Sequence, residues 1–418
     1  VKNVFVVNVR NRMIKQTTNC RFKLFCSLLL LILVNSLFAQ LPPLTLQEVV
    51  KEAKENNPEI KALREKYLAT KTRIIQTKTW EYPQAGVGLS RISDSEGMFS
   101  FTQMIPYPGK LSLRGEIAEK ETSIAEENLR AKELEIMAKV KHSYWMLFFV
   151  NKTIEIYRNN IELMKQYTKI AETEYTAGKV TQIDPLKANT EIAKMLNLLV
   201  ILEQEKGSAE AMLNALLNRP PDKELGAPEE PKERKLNYAY KDLEKLALEK
   251  RPELKKQEFF LSRNRSALTL SRLEWYPDIM SGFKVGTMGS WEGMLSANIP
   301  LYTRKQRAMI EEMSKEKEMA EFELQAMKIM TLSEIRDLWL KYDTRNRSAE
   351  IYRTNIIPLA EQTLRISEAS YRAGRNSFLE LLDSQRVFLE NQLEYYRALT
   401  DREHYFTELE QVVGIDLK

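Results

Sequence analysis

The 418 residues carry 63 Lys and Arg against 58 Asp and Glu, a formal net charge of +5, with 43% hydrophobic residues and two cysteines. So small a charge gives no electrostatic ground for nucleic-acid binding, and so few thiols exclude a disulfide-stapled scaffold. The length alone would suggest two or three domains.

The chain opens with Lys2, Arg10, Arg12, Lys15, Arg21 and Lys23 and no acid through Ala39, and Leu24 to Leu37 is almost wholly apolar. That is the pattern of a secretory signal peptide over residues 1–39, cleaved after Ala39; the apolar run is shorter than the ~18 to 20 residues of a membrane-spanning helix. Cys20 and Cys26 both lie in it. Without its six basic residues the chain keeps 57 basic against 58 acidic residues, a net charge near −1, so the basicity belongs to the leader.

Residues 40–217 read as one structural unit. Leu46 to Trp80 is helical, broken near Asn57-Pro58, because proline disfavours helix at the residue before it. Ala85 to Arg91 and Met98 to Ile105 alternate apolar with small or polar residues around a polar turn at Ile92 to Gly97, the signature of a strand hairpin within residues 85–105. Lys110 to Ala177 contains no proline and a single glycine, Gly115; as one helix it would be roughly 100 Å long at 1.5 Å per residue. Ile154, Tyr157, Ile161, Met164, Thr168, Ala171 and Tyr175 recur at steps of three and four, a coiled-coil seam. A tip at residues 175–186 leads into a return helix from Asp184 to Leu217, and residues 218–237 form a charged, proline-bearing connector.

Residues 238–418 repeat this order: helix from Leu243 to Glu274, strands Ile279 to Gly286 and Gly293 to Ile299, a long helix from Lys305 to Ala373, a tip at 371–382, and a return from Leu379 to Val413. Pro58, Pro83 and Pro106 have counterparts Pro252, Pro277 and Pro300, each 194 residues later (252 − 58, 277 − 83, 300 − 106). Glu155 to Ile161 matches Glu350 to Ile356 at 195, and the tip glycines Gly178 and Gly374 are 196 apart (374 − 178). An internal duplication follows.

The two tips share a local logic. Gly178 and Gly374 close a helical run in the left-handed conformation that a side chain resists. Thr181 and Ser377, three residues on, are placed to cap the next helix, with Asp184 and Glu380 where an N3 carboxylate reaches back to the cap amide. Pro185 is tolerated in a first turn.

Trp80, Tyr82, Tyr107, Trp275, Trp291 and Tyr302 cluster near the strand ends, as suits the polar boundary of a bilayer. A spanning barrel must close, and four strands are too few to enclose a pore, so several copies would each contribute four.

Duplicated halves of strand hairpin, very long helix, glycine tip and return helix, with Tyr-x-x-Gly followed six residues on by an acid, resemble the TolC-type outer-membrane efflux family across the mature chain from about Leu44 to Lys418. The resemblance implies a mainly α fold with a small β part: a homotrimer whose long-helix hairpins form an α-barrel across the periplasm and whose four strands per chain build a shared 12-stranded β-barrel in outer-membrane lipid. It implies the exit duct of a tripartite efflux or type I export system, docked tip first onto a periplasmic membrane-fusion adaptor and an inner-membrane RND or ABC pump. The junction Gln103 to Lys110 is similar to that of members paired with heavy-metal pumps.

The same resemblance places a gate tyrosine at Tyr371, a gate acid at Asp184 and constriction acids at Glu380 and Asp383, which share a helix face. Stacked in a ring, such acids would draw cations. Asn376 stands where the family's pattern has an arginine, which Arg372 or Arg375 would have to replace. Gly178, Val180, Gly374, Phe378 and Leu379 are the expected adaptor-docking surface. No catalytic set, cofactor or nucleic-acid site is expected. His142 and His404 read as isolated, so no protein metal site is expected either. The competing reading is a soluble periplasmic coiled-coil scaffold or efflux adaptor, which would show one helical hairpin between β-rich modules instead of two equivalent hairpins.

Overall fold

The computed structural model describes residues 42–90, 96–232, 236–287 and 289–417. The expected leader, most of the turn at 92–97 and residues 233–235 of the connector lie outside the described residues. A minor unit, of which residues 42–44 and 224–227 are described, is held by the Leu44 N–H donating to the Ala227 carbonyl at 3.0 Å. The main body is Thr45–Lys223 with Pro228–Lys418.

Helices α1 (Leu46–Asn56) and α2 (Pro58–Lys78) meet at Asn57. Its extended backbone ends one helix, and its Oδ1 accepts the Glu59 and Ile60 N–H groups at 2.9 and 3.4 Å to start the next. Pro58 in the first turn costs no hydrogen bond there. The expected break is therefore a junction of two capped helices.

Next come β1 (Gln84–Ser90), β2 (Glu96–Ile105), α3 (Lys110–Thr176) and α4 (Ile183–Leu216). The second half follows with α5 (Tyr240–Lys250), α6 (Pro252–Leu273), β3 (Ile279–Gly286), β4 (Trp291–Ala297), α7 (Thr303–Ile351), α8 (Ile357–Arg372) and α9 (Phe378–Val413). α3 is a single 67-residue helix. Its counterpart, expected to be continuous, is instead divided by a π-helical turn at Tyr352–Ile356. Pro358 is the cause: it lacks an N–H, and its ring displaces the carbonyl of Thr354 one turn back, widening the helix there.

The four strands form one antiparallel sheet in the order β1-β2-β3-β4. Register keeps parity across it: Val87 pairs with Phe99, Phe99 with Val285, and Val285 with Trp291. One face therefore carries Val87, Leu89, Phe99, Phe283, Trp291 and Leu295, all exposed. The opposite face carries Gly88, Ser100, Thr102, Gly282 and the Lys284–Glu292 ion pair at 3.8 Å, interspersed with the half-buried Met98, Met104, Met280 and Met294. Phe101 and Phe283 stack across the central strand pair with ring centroids 5.6 Å apart. A contiguous apolar face on exposed strands belongs against lipid, and the polar face against water.

The helices bury their seams on each other. Ile154, Ile161, Met164, Thr168 and Ala171 of α3 are buried and Tyr157 half-buried, whereas Tyr175 is exposed, so the seam ends one turn before the tip. Near the tip, α3, α4, α8 and α9 share one core around Met164, Tyr167, Ala188, Tyr371, Phe378 and Leu381. Inside it, Gln385 Nε2 donates to Asn160 Oδ1 at 2.6 Å, a buried polar tie between α9 and α3. Such a pair is satisfied in only one register.

Candidate functional site

The candidate site is the tip where the two helical hairpins reverse. Both reversals are built alike. At the first, the Gly178 N–H donates to the Tyr175 carbonyl at 2.9 Å and the Lys179 N–H to the Glu174 carbonyl at 3.0 Å; at the second, Gly374 donates to Tyr371 and Arg375 to Ser370, both at 2.9 Å. This doubly bonded stop needs a left-handed residue, and φ is +74° at Gly178 and +67° at Gly374.

The restarts differ. Ser377 Oγ accepts the Glu380 N–H at 3.3 Å, and the Glu380 carboxylate accepts the Ser377 N–H at 3.2 Å, so α9 begins with the expected reciprocal cap. Thr181 makes no such cap: α4 begins at Ile183 behind Gln182, without a side-chain cap. Pro185 explains the difference. The helical partner for the Thr181 carbonyl would be the N–H of residue 185, which proline lacks. The Asp184 N–H closes onto that carbonyl instead, at 3.3 Å, and is no longer available to the Thr181 hydroxyl. The Asp184 carboxylate is thereby left for another role.

That carboxylate lies where it acts on Tyr371. The Tyr371 ring is buried against Phe378, centroids 5.3 Å apart, and its hydroxyl has no hydrogen-bond partner among the described residues. Burial, and then the negative charges of Asp184 and Glu174, push the phenol up to about 12. It is a neutral donor at any physiological pH. The fold thus brings together two of the four expected gate residues from opposite halves of the chain.

The other two line a groove of about 780 Å³ between α4 and α9, together with Glu191, Lys194, Arg386 and Glu390. Glu380 is engaged in its cap, and Asp383 pairs with Arg386 at 2.6 Å. The latter pair is exposed and so weakly held. Asn376 turns inward, its Nδ2 donating to Ser367 Oγ at 3.1 Å while Oδ1 has no partner among the described residues. Arg372 pairs with Glu368 at 2.6 Å within its own helix. Arg375 is exposed and has no ion pair among the described residues.

Of the expected docking residues, Gly178, Gly374 and Leu379 are exposed and Val180 is half-buried. Phe378 is buried beneath Tyr371 and supports the tip from inside instead of presenting a surface.

The histidines correct the expectation of isolation. His142 of α3 and His404 of α9 lie ring to ring, centroids 4.4 Å apart, with a Glu408 oxygen 3.6 Å from His142 Nε2. Burial and then the neighbouring His404 push His142 down to about 4, and burial lowers His404 as well. Among the described residues no group of three acids, histidines or cysteines is arranged to hold a metal ion, and no helix is long and apolar enough to cross a membrane.

Comparison with known proteins agrees with this architecture. Over 390 residues the chain is 21% identical to the cobalt-zinc-cadmium resistance protein CzcC of Cupriavidus metallidurans, covering 89% of this chain and 90% of that protein. Its fold superposes on CusC, a structure describing transmembrane channel formation, with a TM-score of 0.78 at 16% identity over 90% of this chain and 93% of that one. It superposes on the outer membrane protein VceC of Vibrio cholerae with a TM-score of 0.77 at 16% identity, covering 89% and 97%. The family model described as outer membrane efflux protein matches twice, at residues 49–219 and 243–415, and the second match begins 194 residues after the first (243 − 49). With most of its length covered by that model, the chain belongs to the outer membrane efflux protein family: it is an outer-membrane efflux channel whose helical part lies in the periplasm.

Proposed function

We propose that three copies of this chain pool their strands into one 12-stranded barrel and their helices into a periplasmic tunnel. That duct would receive its cargo from a membrane-fusion adaptor and an inner-membrane RND or ABC pump. The observation that carries the reading is the sheet, with exposed apolar side chains on one face and its small and charged residues on the other, and with β1 and β4 as open edges among the described residues. In lipid an open edge strands its backbone donors and acceptors, so each edge needs another chain. A soluble scaffold would instead leave the whole apolar face in water. Conduction is passive, and no residue is assigned a bond-making role.

The gate in this reading is the tip. Tyr371 supplies a buried, proton-bearing hydroxyl and Asp184 the charge beside it. Small backbone or side-chain shifts between copies would join or separate them from a neighbour's groups. Glu380 and Asp383 set a cationic preference at the mouth of the groove. Divalent metal cations fit that preference, and the relative CzcC is named for cobalt-zinc-cadmium resistance. Gly178, Val180, Gly374 and Leu379 form the adaptor contact.

The test is conductance. The detergent-extracted protein, reconstituted in a planar bilayer, is expected to give discrete cation-selective channels; a water-soluble, non-conducting monomer would overturn the reading.

A further inference from the structure

We propose that the contact joining the two halves of one chain is repeated between chains, with Leu301, Tyr302 and Arg304 of one copy meeting Glu81 and Tyr82 of the next. The proposal rests on the multi-copy reading above and assigns the residues that close it.

Within the chain, the seam between β2 and β3 ends in one cluster on its helical side. Lys110, only 1% exposed, donates from Nζ to Asp278 Oδ1 and to the Tyr276 carbonyl, both at 2.9 Å, with Glu274 Oε2 at 3.3 Å. Tyr107 stacks on Tyr276, centroids 4.5 Å apart, and its N–H donates to Asp278 at 2.7 Å. The donors come from the strand-to-helix corner of the first half. The acceptors come from the helix-to-strand corner of the second.

Duplication carries both corners to the open edges of the sheet. Pro106 and Pro300 mark one corner type and Pro83 and Pro277 the other, each pair 194 residues apart (300 − 106, 277 − 83). At that offset Lys110 corresponds to Arg304, Tyr107 to Leu301 beside Tyr302, and Tyr276 to Tyr82. Asp278 corresponds to Gln84, and the acid stands at Glu81 instead, between the positions of Glu274 and Asp278. The side chains of Glu81, Tyr82, Tyr302 and Arg304 have no hydrogen-bond or ion-pair partner among the described residues. Tyr82 is 94% exposed, Leu301 78% and Tyr302 82%, and Arg304 and Glu81 are exposed with no ion pair among the described residues.

The helices carry the same asymmetry. α6 packs on both α3 and α7, whereas α2 packs on α3 with no comparable second neighbour among the described residues. α2 keeps Ile75 exposed, and α7 keeps Phe322 and Met330 exposed. The repeat assigns a second copy's α7 to the open side of α2, which brings that copy's Arg304 corner to Tyr82. Stacking of Tyr82 on Leu301 and Tyr302 buries three apolar side chains, while the Arg304 guanidinium reaches both the Glu81 carboxylate and the Tyr82 carbonyl.

Crosslinking tests this in the full chain in detergent, on a background of Cys20→Ser and Cys26→Ser. With a short bismaleimide, Tyr82→Cys combined with Leu301→Cys is expected to give covalent dimers and trimers on a denaturing gel, and either variant alone only monomer. Tyr107→Cys with Tyr276→Cys, a pair within one chain, checks the reach of the reagent. No link between copies in a preparation that is oligomeric by mass would overturn the seam and leave the multi-copy reading standing. A monomer by mass would overturn both. In parallel, Arg304→Glu is expected to lower the temperature at which the oligomer dissociates and the added Glu81→Arg to restore it; lack of restoration would overturn the pairing.

Discussion

Lys110 and Asp278, 168 residues apart in the chain, meet at 2.9 Å and join the start of the first long helix to the start of the third strand. The ammonium is almost fully buried and the carboxylate nearly so. Breaking one side of such a pair leaves the other charge uncompensated, at a cost of roughly 3 to 5 kcal/mol. Lys110→Met is therefore expected to lower the unfolding midpoint strongly. Lys315→Met, which removes an exposed pair with Glu318 within one helix, is expected to leave it unchanged. Equal midpoints for the two variants would show that the junction is not a tie between the halves.

The unequal caps at the tip predict unequal losses. Ser377→Ala removes the hydroxyl that accepts the Glu380 N–H, one of the two bonds of the reciprocal cap, and is expected to cost about 1 kcal/mol, seen as faster hydrogen exchange in the first turn of α9. Thr181→Ala removes a hydroxyl that caps nothing and is expected to leave exchange in α4 as it was.

The proposed gate predicts a change of conductance without a change of fold. Tyr371→Phe deletes a hydroxyl that has no partner within the described chain, so stability should hold while single-channel conductance rises. Asp184→Ala should raise conductance in the same way. Glu380→Gln with Asp383→Asn should move the reversal potential in a salt gradient toward that of a non-selective pore. Unchanged conductance and selectivity in all three would remove these residues from the gate.

The histidine pair predicts acid sensitivity. The His142 pKa in the fold is about 4 against an ordinary 6.5, so between those values the unfolded chain binds the proton and the folded chain does not. Stability then falls as pH drops from about 6.5 to about 4 and is regained as pH rises. At 1.36 kcal/mol per pKa unit the loss is about 3 kcal/mol at most. Glu408, raised mainly by burial and further by Glu334 and Asp337 against the lowering effect of Lys341, acts in the opposite direction as it takes up its own proton. The comparison is therefore with His142→Gln: the denaturation midpoint of the parent should fall relative to this variant over that interval, and parallel curves would contradict the assignment.

What could be read in the sequence was local or periodic. Gly178 and Gly374 follow from the left-handed φ that a helix stop requires, and the break at Asn57-Pro58 from the geometry before proline. The strand pairs follow from alternation and the duplication from equal proline spacings. Two local readings failed through a proline whose influence runs backward along the chain: Pro185 removes the cap expected of Thr181, and Pro358 divides a helix expected to be continuous. Contacts between distant segments were not legible. His142 beside His404, Lys110 against Asp278, and Asp184 acting on Tyr371 each join separate elements, and no spacing rule sets such pairs. Phe378 shows a related limit, since an apolar residue at a turn reads the same whether it faces a partner or its own core. The 194-residue offset offered one signal that could have been pressed further, because each contact between halves implies an equivalent one at the open edges.

A reconstruction of the detergent-purified particle decides whether one chain supplies a third of a membrane-anchored duct. The expected image has threefold symmetry, a closed barrel at one end, and a helical tunnel of about 100 Å from the strand junction to the glycine tips, by helix rise over α3. A monomeric particle, or a ring in which β1 and β4 remain unpaired, would contradict it.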